Sequence, residues 1–246
     1  MKADPFVQLR LLDLQALDSA LDRLAHRRRT LPALAEIARL DGQIRGRRDD
    51  IALASATVSD LQRELDKAEA DIEQVRTRRT RDEERLASGA ITQSKQLEDL
   101  SHEVATLRAR QATLEDADLE VMERMEAAQA TLDALLQDAA RHEADRELAE
   151  SDRNREQREI DDESARTGTE RVVVAAEIPA DLLALYEKVR AAEGGVGAGQ
   201  IERGRCDACR LDLMQNEKAE YRAAPVDEVL RHECRRILVR TAESGL

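Results

Sequence analysis

The feature that most constrains the fold of this chain is a long interval without proline, residues 33–178. Between Arg47 and Thr167 this interval contains a single glycine, Gly89. Proline and glycine are the residues that interrupt helices most strongly, and few folds other than long helices extend so far without them. We therefore expect helices much longer than those of an ordinary globular domain.

Apolar residues on both sides of Gly89 recur at alternating spacings of three and four residues. This alternation places them in one narrow stripe on each helix, which is the seam of a left-handed coiled coil. Before Gly89 the stripe consists of Leu14, Leu17, Leu21, Leu24, Leu34, Ile37, Leu40, Ile44, Ile51, Val58, Leu61, Leu65, Ala68, Ile72 and Val75. After Gly89 it consists of Leu97, Leu100, Val104, Leu107, Gln111, Leu114, Val121, Met125, Ala128, Leu132 and Leu135.

A short break at residues 88–94 separates the two stripes and indicates a turn. Two long helices joined by a short turn pack as antiparallel neighbours. The sequence therefore predicts a mainly α fold with a long antiparallel coiled-coil hairpin over residues 1–168. Pro32 marks a kink or break in the first helix, with Thr30 as the N-cap of the helix that follows. An intermolecular bundle built from the same stripes is the alternative.

The pattern changes towards the C-terminus, where we expect a small α+β domain over residues 169–246. The β-branched run at residues 172–174 predicts a short strand. Residues 179–190 predict an amphipathic helix with Pro179 in its first turn. Closely spaced glycines at 194–199 lack the Gly-Lys-Ser/Thr ending of a phosphate loop and indicate a linker or the tight start of a strand.

Composition and charge narrow the classes of partner. Of all residues 37% are charged and only 1% aromatic, and the formal net charge is −13. The excess of negative charge lies in residues 1–195, which should repel phosphate backbones and anionic membranes. Three aromatic residues are also too few for a base-stacking platform. With no apolar signal region and no long uncharged apolar segment, we expect a cytoplasmic protein that does not insert into membranes.

All three cysteines lie in the predicted C-terminal domain. Cys206 and Cys209 form a C-x-x-C pair, and Cys234 follows with His232 two residues before it. Three thiolates and one imidazole are a common closed ligand set for tetrahedral zinc. A small unit with two aromatic rings would gain stability from such an ion. The sequence therefore predicts one structural zinc ion bound by Cys206, Cys209, His232 and Cys234.

Other interpretations of the cysteines have less support. A redox C-x-x-C normally follows a strand of a βαβ unit, and no such pattern surrounds this pair. A stable disulfide does not fit an odd number of cysteines in a cytoplasmic chain. A catalytic zinc would need an open coordination position, which arises only if His232 does not bind. Without a recognisable general base or pocket, we expect no enzyme; we predict that His26, His102 and His142 are solvated or lie at the coiled-coil seam.

Arginines near the cysteines raise the alternative of nucleic-acid binding. Between residues 196 and 246 nine basic residues are matched by nine acidic ones, so the electrostatic signal is weak. The candidates for contacts with nucleic acid are Arg235, Arg236 and Arg240.

Four segments together resemble the bacterial zinc-ribbon coiled-coil hairpin proteins of the C4 type. The resemblance covers essentially the whole chain and extends to an actinobacterial branch that includes a zinc-ribbon protein linked to cell division. The segments are Ser94-Lys-Gln-Leu-Glu-Asp-Leu-Ser-His-Glu-Val104, residues 114–123, Glu177-Ile-Pro-Ala-Asp-Leu-Leu-Ala-Leu-Tyr186, and Cys206-Asp-Ala-Cys209 with Cys234-Arg-Arg-Ile-Leu-Val-Arg240.

The resemblance implies a kinked antiparallel hairpin with a C-terminal zinc ribbon and a non-enzymatic role as an adaptor or chaperone-like protein. Members elsewhere are associated with flagellar regulation, including sigma-factor and RNA binding. The family typically has a second C-x-x-C, where this chain has His232-Glu-Cys234. We expect an adaptor that binds protein partners through its coiled coil in cell division or envelope assembly. A homo-oligomer and a nucleic-acid-binding regulator are the alternatives.

Overall fold

The structure is a computed structural model that describes residues 1–246. It confirms a mainly α fold with a long helical hairpin and a small C-terminal region that contains strands. The helices are α1 (Pro5–Arg29), α2 (Pro32–Ala87), α3 (Ser94–Ala176), α4 (Ala180–Ala192) and α5 (Gln215–Ala223). The strands are β1 (Ala198–Glu202), β2 (Arg205–Cys206), β3 (Leu230–Arg231) and β4 (Ile237–Val239). The chain forms two compact units, one of Ala35–Ala149 and one of Met1–Leu34 together with Glu150–Leu246.

The unit of residues 35–149 is a hairpin of α2 and α3. The helices are joined by residues 88–93, so the predicted turn is confirmed. Leu61, Leu65 and Val121 form a buried cluster between the two helices. Across the same interface Arg47 Nε donates a hydrogen bond of 2.8 Å to Asp138 Oδ2. Since exposed ion pairs contribute at most about 1 kcal/mol each, the aliphatic seam within this one chain provides most of the stability.

The break between α1 and α2 lies where Pro32 predicts it. Thr30, however, is the C-cap of α1, and the prediction that it caps α2 is wrong. Its backbone N–H and its hydroxyl both donate to the His26 carbonyl, at 3.1 and 3.0 Å. The last carbonyls of a helix have no partners further along it, so at the end of α1 the His26 carbonyl accepts hydrogen bonds from the residue that follows the helix.

The predicted strand at residues 172–174 is wrong, because α3 continues to Ala176. Val174 packs against the core of its unit. Packing of this kind outweighs the small intrinsic preference of valine for strands. The boundary expected between residues 168 and 169 thus lies inside α3, and Pro179 is the N-cap of α4 rather than a first-turn residue.

The second compact unit, which comprises Met1–Leu34 and Glu150–Leu246 and is called the C-terminal unit below, contains a four-stranded sheet with strand order β2-β1-β4-β3. The central pair, β1 and β4, is parallel, and both outer pairs are antiparallel. Ile237 and Val239 of β4 pack with Leu14 of α1 and Tyr186 of α4, whereas Leu238 packs into a second cluster. This alternation places α1 and α4 on one face of the sheet and α5 with the cysteines on the other.

A buried polar network ties α1 to this unit. Asp18 is only 2% exposed. Its Oδ1 accepts a hydrogen bond of 2.6 Å from Arg171 Nε, and its Oδ2 accepts one of 2.7 Å from the Tyr186 hydroxyl. Gln15 Oε1 accepts a bond of 2.6 Å from the Gly197 backbone N–H. Burial, followed by the hydrogen bond to Asp18, raises the pKa of Tyr186.

Candidate metal centre

The four predicted ligands come together in the structure. Cys206 ends β2, Cys209 lies in the following turn, and His232 and Cys234 lie between β3 and β4. Their ligand atoms all lie within 4.8 Å of one another. Cys206 is fully buried and His232 is 6% exposed. Residues more than 20 positions apart in sequence are thus gathered into one group that could hold a metal ion.

Each half of this group is a tight turn; we call residues 206–210 the first knuckle and residues 232–236 the second knuckle. In the first, Arg210 N–H donates 2.7 Å to the Cys206 carbonyl. In the second, Arg235 N–H donates 2.8 Å to the His232 carbonyl. Both arginines have left-handed backbones, with φ of 63° and 67°. An L-residue pays about 1–2 kcal/mol for that conformation, so both knuckles hold strain that a glycine would not.

The first knuckle also lies against the sheet. Asp207 N–H donates 3.0 Å to the Gln200 carbonyl of β1. A Cβ at Gly199 would lie 2.6 Å from the Ala208 Cβ. Only glycine permits this approach of β1 to the knuckle, which confirms the glycine-rich segment as the tight start of a strand.

The thiols differ in acidity. Burial raises the pKa of Cys206 to about 12. Burial also opposes ionisation of Cys209, but the Leu211 backbone and the thiols of Cys206 and Cys234 outweigh it through hydrogen bonds and lower the pKa of Cys209. Because thiolates are the metal ligands, binding must displace the proton that Cys206 otherwise retains.

The donor set fits zinc. Bonds of about 2.3 Å to sulfur and 2.0 Å to nitrogen place the ligand atoms of a tetrahedral ion roughly 3.5–3.8 Å apart. Cys209 Sγ and His232 Nδ1 are already 3.4 Å apart. All the ligand atoms lie within 4.8 Å of one another, so the widest separation exceeds that range by no more than about 1 Å. An ion would therefore need only small side-chain adjustments to bring all four donors into contact with it.

One functional group that the sequence analysis missed is Glu217 of α5. It is 8% exposed, and its Oε1 lies 3.8 Å from His232 Nε2. Glu217 could have been recognised from the sequence by its position three residues after Met214, because a carboxylate at that position commonly caps a helix.

The three arginines considered for nucleic-acid binding have different surroundings. Arg236 Nη2 donates 2.8 Å to the Glu193 carbonyl at the end of α4, and its Nε donates 3.1 Å to the Val196 carbonyl. The Arg240 guanidinium likewise donates to backbone carbonyls. The Arg235 side chain is exposed and makes no side-chain hydrogen bond or ion pair. Two of the three guanidinium groups are thus used within the fold.

We expect Arg240→Gln to destabilise the C-terminal unit by about 1–3 kcal/mol. Arg240 Nη1 donates to the carbonyls of Ala224 (2.9 Å) and Tyr221 (3.2 Å) at the end of α5, and glutamine is too short to replace both bonds. Urea unfolding followed by tyrosine fluorescence measures the effect, because both tyrosines lie in this unit. Arg235→Gln removes the same charge and should change stability by less than about 0.5 kcal/mol. Equal losses in the two variants would contradict this role.

The other histidines lie on the long helices, outside the group of candidate metal ligands. His26 and His102 are exposed. His142 is half-buried, with its Nε2 at 3.6 Å from Asp138 Oδ2. None of the helices combines the length and apolar character required to cross a lipid bilayer.

Comparisons with known proteins place the hairpin in a family. Residues 14–194 match the CT398-like coiled coil hairpin domain, a match that ends before the four candidate ligands. The protein Rv2229c of Mycobacterium tuberculosis strain H37Rv is 40% identical over 98% of both chains. A solved structure from Mycobacterium smegmatis has 35% identity and a TM-score of 0.85, covering 98% of this chain and 100% of its own. CT398 from Chlamydia trachomatis shares the fold, with 19% identity and a TM-score of 0.66 over 96% and 98% of the two chains. With nearly three quarters of its length matched, this chain belongs to the CT398-like coiled-coil hairpin domain family.

Proposed function

We propose that this protein is a non-enzymatic adaptor in which one zinc ion stabilises the C-terminal region and the coiled-coil hairpin binds protein partners. The observation that carries the proposal is the closed set of four protein ligands within 4.8 Å of one another. A structural zinc site is closed, whereas a catalytic one leaves a position for water or substrate. The close approach of His232 to Cys209 supports the closed form.

The zinc would be bound by three thiolates and one imidazole and would supply folding energy. Cys206, Cys209 and Cys234 pack with the apolar cluster on one face of the sheet, together with Leu213 and Tyr221. An ion that joins the two knuckles would therefore fix the edges of this cluster. Since the ligands come from distant parts of the chain, binding would also favour the folded arrangement over the unfolded one.

The hairpin supports the adaptor part of the proposal. Long paired helices expose a large surface to other helices, and apolar side chains on such a surface are typical of contact sites. Leu53, Leu119 and Leu148 are among the exposed large apolar residues of this unit. Cell division or envelope assembly is the process suggested by the resemblance to the actinobacterial zinc-ribbon proteins.

Native mass spectrometry of the purified protein tests the metal site. We expect about one zinc ion per chain in the wild type, and a reduced zinc content in His232→Ala, because this variant loses the fourth ligand. His102→Ala is the matched control, since this exposed histidine lies on α3, and it should retain all of its zinc.

Full zinc content in His232→Ala would indicate that water or another group completes the coordination shell, and the open, catalytic type of site would then replace the structural one. A wild type without zinc would contradict the metal site altogether. In that case only the coiled-coil interaction would remain of the proposal.

A second candidate function is nucleic-acid binding, favoured by the free guanidinium group of Arg235 in the second knuckle. Arg210 is also exposed and forms no side-chain ion pair. This candidate requires affinity for an oligonucleotide that falls steeply with salt and is lost on charge reversal at Arg235. Binding that is insensitive to salt would favour the protein adaptor.

A further inference from the structure

Glu217 has a buried carboxylate, and only one of its two oxygens caps its own helix. It lies in the first turn of α5, where its Oε2 accepts a hydrogen bond of 2.7 Å from the Met214 backbone N–H. This bond caps the helix and accounts for one oxygen. A buried carboxylate is costly unless its charge is compensated, so the surroundings of its second oxygen need an explanation.

The second oxygen faces the candidate metal ligand His232. Glu217 Oε1 lies 3.8 Å from His232 Nε2, and the other ring nitrogen, Nδ1, lies 3.4 Å from Cys209 Sγ. The imidazole ring is therefore placed between a carboxylate on one side and the thiols on the other. The separation of 3.8 Å is longer than a hydrogen bond of about 2.7–3.2 Å, so the carboxylate acts on the ring edge electrostatically, without a formed hydrogen bond.

A neighbouring residue fixes the same geometry from α5. The Tyr221 hydroxyl lies 3.5 Å from Glu217 Oε1 and donates 3.1 Å to the carbonyl of Arg231, the residue before His232. Burial, and then the charges of Glu217 and Glu220, raise the pKa of Tyr221 to about 12, so it remains a hydrogen-bond donor at neutral pH. Helix α5 thus contacts His232 through Glu217 and the preceding residue, Arg231, through Tyr221.

We propose that Glu217 is a positioning residue for His232: it orients the imidazole so that Nδ1 is the ligand atom and Nε2 carries the proton. This inference rests on the proposed zinc site. A carboxylate beside the non-ligating nitrogen fixes the tautomer of a metal-binding histidine and increases its basicity. His232, which stands in place of a cysteine of the four-cysteine pattern, is in this way oriented by a carboxylate. A cysteine ligand would not need such a partner.

Zinc affinity and the ligating nitrogen test this inference in the full-length chain. Zinc affinity is measured by competition with a chromophoric chelator, and the ligating nitrogen is identified from ¹⁵N NMR shifts of the His232 ring in the zinc-loaded protein. Removing such a partner typically costs 10–100-fold in metal affinity. For Glu217→Ala we expect a loss of zinc affinity towards the upper end of this range. For Glu217→Gln we expect a loss at the lower end, about tenfold, because its amide oxygen can still accept the hydrogen bond from Met214 N–H. Glu220→Gln, at an exposed position on the same helix, should bind like the wild type.

Three results would overturn the inference. Ligation through Nε2 in the wild-type protein would do so without any variant, which removes the risk that a variant fails to fold. Unchanged affinity and unchanged Nδ1 ligation in both Glu217 variants would reject the role of Glu217 and leave the zinc site intact. A wild type that binds no zinc would reject the zinc site itself and, with it, the role of Glu217.

Discussion

Replacing Cys206 with serine is expected to abolish stable zinc binding and to unfold the cluster around the two knuckles, while the hairpin of residues 35–149 remains helical. Zinc contributes apparent free energies of about 10–16 kcal/mol in zinc-finger peptides, as much as the whole stability of many domains. Cys206 is the most buried of the ligands, so a serine there leaves a polar hydroxyl in an apolar cluster as well as an incomplete site.

The loss should be local even within the C-terminal unit. The apolar cluster of Leu11, Leu14, Tyr186 and Val239 contains none of the four ligands, so we expect α1 and α4 to remain protected. The apolar cluster of Ile201, Leu213, Tyr221 and Leu238, which contains the cysteines, should open. Hydrogen-exchange mass spectrometry, read peptide by peptide over 5–29, 180–192, 198–239 and 35–149, separates these regions.

Asp207→Asn is the matched control for this experiment. It changes an exposed residue of the same knuckle that is not a ligand, and it should retain both zinc and protection. Removing zinc from the wild type with a chelator should reproduce the exchange pattern of Cys206→Ser, and added zinc should reverse it. Full protection of residues 198–239 in the serine variant would show that the fold of this region does not depend on the metal.

The second large effect is expected for Asp18→Ala, which should destabilise the C-terminal unit by about 3–5 kcal/mol. The carboxylate of Asp18 is the shared acceptor of Arg171 and Tyr186. Its removal leaves the guanidinium with Glu187 as its remaining carboxylate and the buried hydroxyl with only the weaker acceptor Gln15 Oε1, at 3.2 Å. Hydrogen bonding to Asp18, and then to Glu187, raises the pKa of Arg171 in the wild type. The guanidinium keeps its charge in the variant as well, because arginine is always protonated in proteins.

Urea unfolding followed by tyrosine fluorescence measures this loss, since both tyrosines report on the same unit. Asp22→Ala is the control, because Asp22 lies one turn further along α1 and pairs with Arg190 at the surface, at 2.9 Å. Exposed pairs contribute at most about 1 kcal/mol, so this variant should stay close to the wild type. A midpoint for Asp18→Ala that equals that of Asp22→Ala would contradict the importance of the buried network.

The predictions that succeeded depend on strong, local signals. The absence of proline over 33–178 and the short break before Ser94 are sufficient to predict two long helices and the turn between them. The close approach of the four candidate ligands was also predictable, because thiols and an imidazole at knuckle spacing have few other uses in a small domain. His232 was identified from its chemistry, and the structure places its Nδ1 beside Cys209.

The predictions that failed concern residues whose conformation depends on distant parts of the chain. Valines at 172–174 favour a strand locally, yet the segment remains in α3, where Val174 packs against the core of its unit. The apolar stripe of α1 did not reveal that Gln15 and Asp18 are more buried than Leu17. Their partners lie more than 150 positions away in sequence, and no local pattern contains that information.

The pairing of Asp18 with Arg171 also determines the order in which the protein can fold during synthesis. The two residues are separated by 153 positions, so at about 5–20 residues per second the ribosome needs roughly 8–30 s to deliver the partner of Asp18. During that delay the polar side chains of α1 that become buried lack their hydrogen-bond partners. Helices α2 and α3 are joined by a short turn and can associate earlier. Helix α1 is thus synthesised well before its partner in α3, and during that time it is accessible to chaperones and proteases.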